Sequence, residues 1–139
     1  MLYGARECGR IFVKEGHTAV YKRHADASRA MVAGIEAMGL RGFGDVAHKM
    51  PNVTGVWIPS GINADRARLA LLNDFNIEIG TSFGPLHGKI WRIGAMGYNA
   101  RRDTVLLTLA ALEAVLAAEG HKLPRGAGID AAYAAYRAN

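Results

Sequence analysis

Cysteine is nearly missing: Cys8 stands alone in 139 residues. A single thiol makes no internal disulfide, so packing rather than cross-linking must hold the fold, and a reducing, cytoplasmic setting fits. Long hydrophobic runs are missing too. The longest apolar stretch, residues 105–118, is broken by Thr108 and Glu113, which leaves it too short and too polar to span a bilayer. The opening MLYGARECGRIFV carries charges within its first ten residues and no cleavage pattern, so neither a secretory signal nor a membrane partner is expected. Runs of like charge are lacking as well. The 17 basic and 12 acidic residues give a net charge of +5, yet the basic ones are scattered singly or in pairs, such as Lys22–Arg23 and Arg101–Arg102. No aromatic residues interleave with them as a stacking platform requires, which argues against nucleic-acid binding. The surplus reads as a solvated surface, or as one that meets an acidic piece of protein. Five histidines (His17, His24, His48, His87, His121) lack close helical spacing and clustered acidic or thiol partners, so no metal site is expected.

What is present suits one globular domain. Half the residues are apolar and the mean hydropathy is +0.04. A chain of this length buries a core without metal or disulfide. A first helix is predicted over residues 3–15, stopped by Gly16. A second runs over 18–38, with Val20, Ala27, Met31, Ile35 and Met38 on one stripe, and Gly39 ends it. A short extended piece covers 40–43. VTGVWIP, residues 53–59, is β-branched and aromatic and reads as a strand. Asn63 is placed to cap a helix through Phe75, with Ala67, Leu71 and Leu72 inward. Residues 77–80 and 90–93 read as strands joined by a glycine-rich loop, an antiparallel hairpin. Asn99 is expected to cap a long helix over 100–119, striped by Val105, Leu109, Leu112 and Leu116 and widened by Leu106, Leu107 and Val115. Residues 129–137 form a last short helix. Strands and helices mix without βαβ alternation, which predicts an α+β fold: a small, largely antiparallel sheet with helices packed on one face.

Three features invite chemistry. GPLHGKI, residues 84–90, has three residues between its glycines and Ile90 after the lysine, so it misses the phosphate-loop pattern and reads as a hairpin connection. Cys8 lies on a helix with an apolar face and reads as a buried structural thiol rather than a nucleophile. Arg92, between Trp91 and Ile93 in an apolar strand, alternates onto the opposite face. That face is either simply solvated, or it presents a guanidinium fork to a carboxylate. The pattern alone leaves both open.

The stretch IEIGTSFGPLHGKIWRIGAMGYNARRD, residues 77–103, resembles the small-domain hairpin of class V, fold-type I aminotransferases. Glu78, Gly84–Pro85, Gly88–Lys89, Arg92–Ile93–Gly94, Gly97 and Asn99–Ala100 carry the resemblance. MLYGAREC is similar to the start of the family's helix leading from large to small domain, and HKMPNVTGVWIPSGIN to its first small-domain strand. Residues 1–139 are thus identified as a C-terminal small domain, with 1–38 as the helical lead-in. Within the family the wording resembles most the ureidoglycine–glyoxylate branch of purine breakdown, beside alanine–glyoxylate and serine–pyruvate enzymes.

The resemblance implies a pyridoxal-phosphate (PLP) transaminase that passes an amino group to glyoxylate and works as a homodimer. Arg92, the arginine of R-I-G, would bind the substrate's α-carboxylate. The cofactor's lysine, aspartate and phosphate ligands would lie in a large domain. None of Lys14, Lys22, Lys49, Lys89 or Lys122 matches the lysine motif, so no catalytic or cofactor-binding residue is expected here, and the chain alone should be inactive. The alternative is a free-standing module that holds a small carboxylate on Arg92 without catalysis. Ser82 and His87 either line the site entrance or shape the hairpin loop.

Overall fold

In the computed structural model, residues 1–45 and 47–138 are described. The helices are α1 (Leu2–Glu15), α2 (His17–Ala37), α3 (Ala64–Phe75), α4 (Arg102–Ala118) and α5 (Ala127–Arg137). The strands are β1 (Gly42–Phe43), β2 (Val53–Trp57), β3 (Gly80–Thr81) and β4 (Ile90–Gly94). Among the described residues they form one sheet in the order β1-β2-β4-β3, and every neighbouring pair is antiparallel. The α+β expectation therefore holds.

Alternation decides the two faces of the sheet. On β4, Trp91 is 0% and Ile93 3% exposed, while Arg92 points out. Their partners across β2 are Val56 and Thr54, both buried. This face joins one core with Met31 and Ile35 of α2, Leu71 of α3, and Leu109 and Leu116 of α4. The α2 stripe from Val20 to Met38 is buried as its spacing predicts. Asn63 caps α3 by accepting the Arg66 N–H at 3.0 Å, which satisfies one of the orphan donors of the first turn.

Five expectations need correction. The helix after Asn99 starts at Arg102, behind a 3₁₀ turn over Gly97–Asn99. Side chains of α2 hold that link in its non-helical shape. Arg23 Nη1 donates to the carbonyls of Gly97 (2.6 Å) and Ala100 (3.2 Å), and His24 Nε2 accepts the Gly97 N–H at 3.0 Å. Secondly, residues 77–79 are not laddered strand. Asn76 closes α3 in the left-handed region (φ 53°), Ile77 N–H bonds back to Leu71, and Arg68 Nε takes the Ile79 carbonyl at 2.8 Å. With that carbonyl occupied, pairing begins only at Gly80. Thirdly, Leu72 is 40% exposed, and fourthly, Leu107 is 54% exposed, so the apolar faces of α3 and α4 are narrower than expected. Fifthly, Cys8 is exposed rather than buried. It lies on α1, in which no residue is buried. A tilted Phe12–His17 ring contact (centroids 4.8 Å) and the Arg23–Glu15 pair (2.6 Å) tie α1 to α2.

Candidate functional site: an arginine on the open sheet face

Arg92 belongs to the central strand β4, which is laddered on both sides. Register places Gly55 of β2 opposite it on one side and Gly80 of β3 on the other. Phe43 of β1 pairs with Gly55. The open face therefore carries a transverse row, Phe43, Gly55, Arg92, Gly80, with two of its four places empty of side chain. A Cβ on Gly80 would stand 3.5 Å from Arg92 Nη2, so the side chain lies across that glycine. A Cβ on Gly55 would come within 3.1 Å of Phe43 Cβ and 3.2 Å of its ring, so Phe43 leans over the other glycine.

The guanidinium is fixed at two points. Its Nε donates to the Thr81 carbonyl at 2.7 Å, and its carbon lies 4.6 Å from the centre of the Phe83 ring. The second contact is a cation–π arrangement, which favours the charged group while leaving its edge free. Among the described residues no carboxylate lies within ion-pair distance of Arg92. Glu78, the acidic residue of the motif, stands instead 4.0 Å from Arg68. The result is a cation whose stem and orientation are set by the sheet and whose Nη edge has no acceptor among the described residues. Such a fork matches a carboxylate at two points.

The groove beside it has a volume of about 410 Å³ and includes Phe43, Val53, Ser82, Leu86, Ile90 and Arg92 in its wall. His48 and Asp45 also border it, joined by a 2.6 Å pair that holds the Asp45 carboxyl below its usual range. Ser82 is 7% exposed and lines the groove. His87 is exposed and points its Nδ1–H at the Ser82 carbonyl (3.2 Å), so it shapes the hairpin loop.

The sequence singles out Arg92 as a candidate but not Gly55, Gly80 or Phe43. Gly55, in the middle of a strand pattern, was the available signal, because an interior strand glycine marks a close approach. Its significance depends on register, which a single strand does not reveal.

No protein-family model matches the chain. Individual relatives do. The (S)-ureidoglycine–glyoxylate transaminase of Bacillus subtilis is 50% identical over 136 residues, which is 98% of this chain and 33% of that protein. The crystal structure of ureidoglycine–glyoxylate aminotransferase from the same organism superposes with a TM-score of 0.94 at 49% identity, covering 98% of this chain and 35% of that one. Over nearly all of its length this chain is similar to these aminotransferases, and its α+β fold matches that of their small domain. Pyridoxamine–pyruvate transaminase of Mesorhizobium japonicum is 35% identical over 125 residues, 89% of this chain and 32% of its own length. The chain thus spans about a third of the length of the curated relatives it matches.

Among the described residues, no group of three or more His, Cys, Asp or Glu side chains is placed to hold a metal ion. No helix among them is long and apolar enough to cross a membrane.

Proposed function

We propose that this chain is the small domain of a PLP-dependent transaminase that delivers an amino group to glyoxylate, and that Arg92 binds the α-carboxylate of the amino-acid or oxo-acid substrate. The observation that carries the reading is the free Nη edge of Arg92, set over Gly80 and held by Thr81 and Phe83. A carboxylate gripped at two points cannot turn about its bond to Cα. The remaining Cα substituents are then presented in one orientation, which is the chief requirement for breaking a chosen bond at that carbon.

The residues present do not fit the cofactor itself. Lys22 is paired with Asp26, Lys49 is bonded to Ser28, and Lys14, Lys89 and Lys122 lie exposed on unconnected elements. No lysine here shares an enclosed site with a carboxylate and a set of phosphate-binding N–H groups. When bound, the cofactor supplies an electron sink, and in this reading a large domain outside these 139 residues holds it. Residues 1–38 are read as the lead-in from that domain. The absence of buried side chains on α1 supports this, since a helix with an apolar stripe and no partner in its own core is suited to packing elsewhere. The acceptor is glyoxylate and the donor ureidoglycine, within purine breakdown, in a homodimeric enzyme; the identity with the Bacillus subtilis transaminase supports that assignment.

Intact mass and visible absorbance of the protein from its natural source test the reading. A mass several-fold above this chain, with a band that shifts on adding an amino acid, is expected. A mass equal to this chain and no such band would leave carboxylate binding as the activity. In the full-length protein, Arg92→Ala removes charge-assisted hydrogen bonds and should lower glyoxylate-dependent kcat/KM by about 30-fold or more. Arg92→Lys keeps the charge and loses the fork, so only part of that loss should return. Unchanged kcat/KM in Arg92→Ala would sink the assignment.

A further inference from the structure

One ionisable group borders the groove beside Arg92 but has its amine bonded elsewhere. Lys49 lies in the loop between β1 and β2, and its end turns back onto α2. There Nζ stands 2.5 Å from Ser28 Oγ and 3.4 Å from the Met50 carbonyl. Ser28 is 8% exposed. A serine inside a helix usually gives its hydroxyl hydrogen to the carbonyl four residues back, as Thr108 does to Thr104 at 2.8 Å. Ser28 makes no such bond among the described residues. Ser28 Oγ accepts from Lys49 Nζ, and a neutral amine still has N–H groups to donate to it, so the amine keeps its place with or without its proton and its lone pair stays free.

Charge around Lys49 does not hold the proton in place. No carboxylate among the described residues is within ion-pair distance of it. Burial lowers its pKa from the ordinary lysine value, because a desolvated ammonium is disfavoured against the neutral amine. Of the charged groups nearby, Arg29 of α2 is bound to Asp26 at 2.7 Å, and Asp26 also holds Lys22 at 2.9 Å. Asp45 and His48, on Lys49's own loop, bind each other. Glu36 of α2 shares the groove but stands outside ion-pair range.

That groove, of about 370 Å³, runs along α2 between Ala25, Val32, Ala33 and Pro51, with Arg29 and Glu36 in its wall. Its size suits a molecule of a few heavy atoms, and the Arg29 guanidinium offers N–H groups beyond the one given to Asp26. We propose that Lys49 is a covalent capture site for small anionic aldehydes, of which glyoxylate is the simplest, with Ser28 holding the amine in the α2 groove. The amine lone pair adds to the carbonyl carbon and the π pair moves to oxygen. One proton passes from nitrogen to that oxygen to give a hydroxyl, and the hydroxyl then leaves with the second nitrogen proton as water while the nitrogen pair forms the C=N bond of the imine. Amine and aldehyde become imine and water, with no oxidant or reductant. The proposal needs neither Arg92 nor transamination.

The test is to expose the full-length protein to glyoxylate, trap imines by borohydride reduction, and read carboxymethylation at each lysine by mass spectrometry. The other lysines serve as internal standards. At pH 7, Lys49 should be labelled more heavily than Lys14, Lys89 and Lys122, because burial lowers its pKa. The excess should shrink as pH approaches the ordinary lysine range and the exposed amines also lose their protons. Ser28→Ala, which suits a helix interior, should release the amine to solvent and bring Lys49 labelling down to that of the exposed lysines. Labelling of Lys49 at or below the exposed set, or labelling unchanged by Ser28→Ala in a protein with parental circular dichroism, overturns the proposal.

Discussion

Gly34 is a position where a single methyl group should be felt across the whole molecule. It lies inside α2, a place where alanine would ordinarily gain about 1 kcal/mol in helix propensity. A Cβ there, however, would meet Leu109 Cδ1 at 2.4 Å and Cδ2 at 2.8 Å, and the Gly128 carbonyl oxygen at 2.9 Å. Leu109 is 0% exposed and belongs to the core cluster. The Gly128 oxygen is backbone, inside α5, and moves only with its helix. The reverse contact is equally close, since a Cβ on Gly128 would stand 3.1 Å from the Gly34 carbonyl and 2.8 Å from Met38 Cγ. α2 and α5 thus touch backbone to backbone through a glycine pair. Overpacking of this sort costs about 1–3 kcal/mol, and the upper part of that range, about 2–3 kcal/mol, applies here because two of the three obstacles belong to a fully buried leucine and one to backbone. After the propensity gain is subtracted, Gly34→Ala should destabilise by about 1–2 kcal/mol. For a chain of this size that lowers Tm by about 3–8 °C. Urea and thermal unfolding followed by two probes measure it, with an unchanged m-value showing that the native state alone was affected. Gly9→Ala on α1 is the control, because a Cβ there meets no heavy atom within 4 Å and only the propensity gain remains. A Gly34→Ala protein with a midpoint at or above the parent's would refute the close-packing argument.

Two further outcomes follow from side chains at the edges of the core. The Tyr136 hydroxyl is buried and has no hydrogen-bond partner among the described residues. Burial raises its pKa above the ordinary phenol value, so the stability it contributes is fully present below about pH 10 and is lost as pH climbs through the raised folded value. Tyr136→Phe should therefore be as stable as the parent at pH 7, or more so by up to about 1 kcal/mol, and should weaken less between pH 9 and pH 11 in urea titrations; a variant that is less stable at neutral pH would point to a missed partner. Asn63→Ala removes the cap on the Arg66 N–H and should cost about 1 kcal/mol, while Asn63→Asp should hold parental stability; equal thermal midpoints for parent and Asn63→Ala would deny the cap any energetic role.

What could be read from the sequence was local and periodic. The stripe from Val20 to Met38 and the alternation of Trp91, Arg92 and Ile93 need only the helical and strand periods. Asn63 needed only its place before an apolar helix. What could not be read depended on contacts between distant segments. Asn99 has the chemistry of a cap, yet Arg23 and His24, more than seventy residues earlier, hold the backbone around it in a turn. Residues 77–79 have strand composition, but Arg68 occupies a carbonyl that a ladder would need. Cys8 shares its helix with apolar residues, and nothing within the helix reveals that the helix lacks a partner in this core. The proposed carboxylate site divides in the same way. Arg92 stood out as a cation in an apolar strand, whereas the clearing around it is a property of register. Gly55, Arg92 and Gly80 come from three strands, and only pairing sets them in one row with Phe43.

That arrangement also determines how informative Arg92 substitutions can be. Strand β4 presents different side chains on opposite faces. Trp91 and Ile93 secure it to the core, and truncating Trp91 would cost several kcal/mol of stability. Arg92 touches only the open face, where its contacts are one bond to the Thr81 carbonyl and the Phe83 ring. Thr81 retains its backbone pairing with Trp91 in the ladder, and an exposed carbonyl released by Arg92→Ala is free to bond water. The strand should therefore stay in place when the guanidinium is removed, with an expected change in stability within about 0.5 kcal/mol. A loss of carboxylate binding in Arg92→Ala at parental Tm would then report on recognition. A large fall in Tm would show instead that the guanidinium helps hold β3 to β4, and any loss of activity would have to be judged from Arg92→Lys.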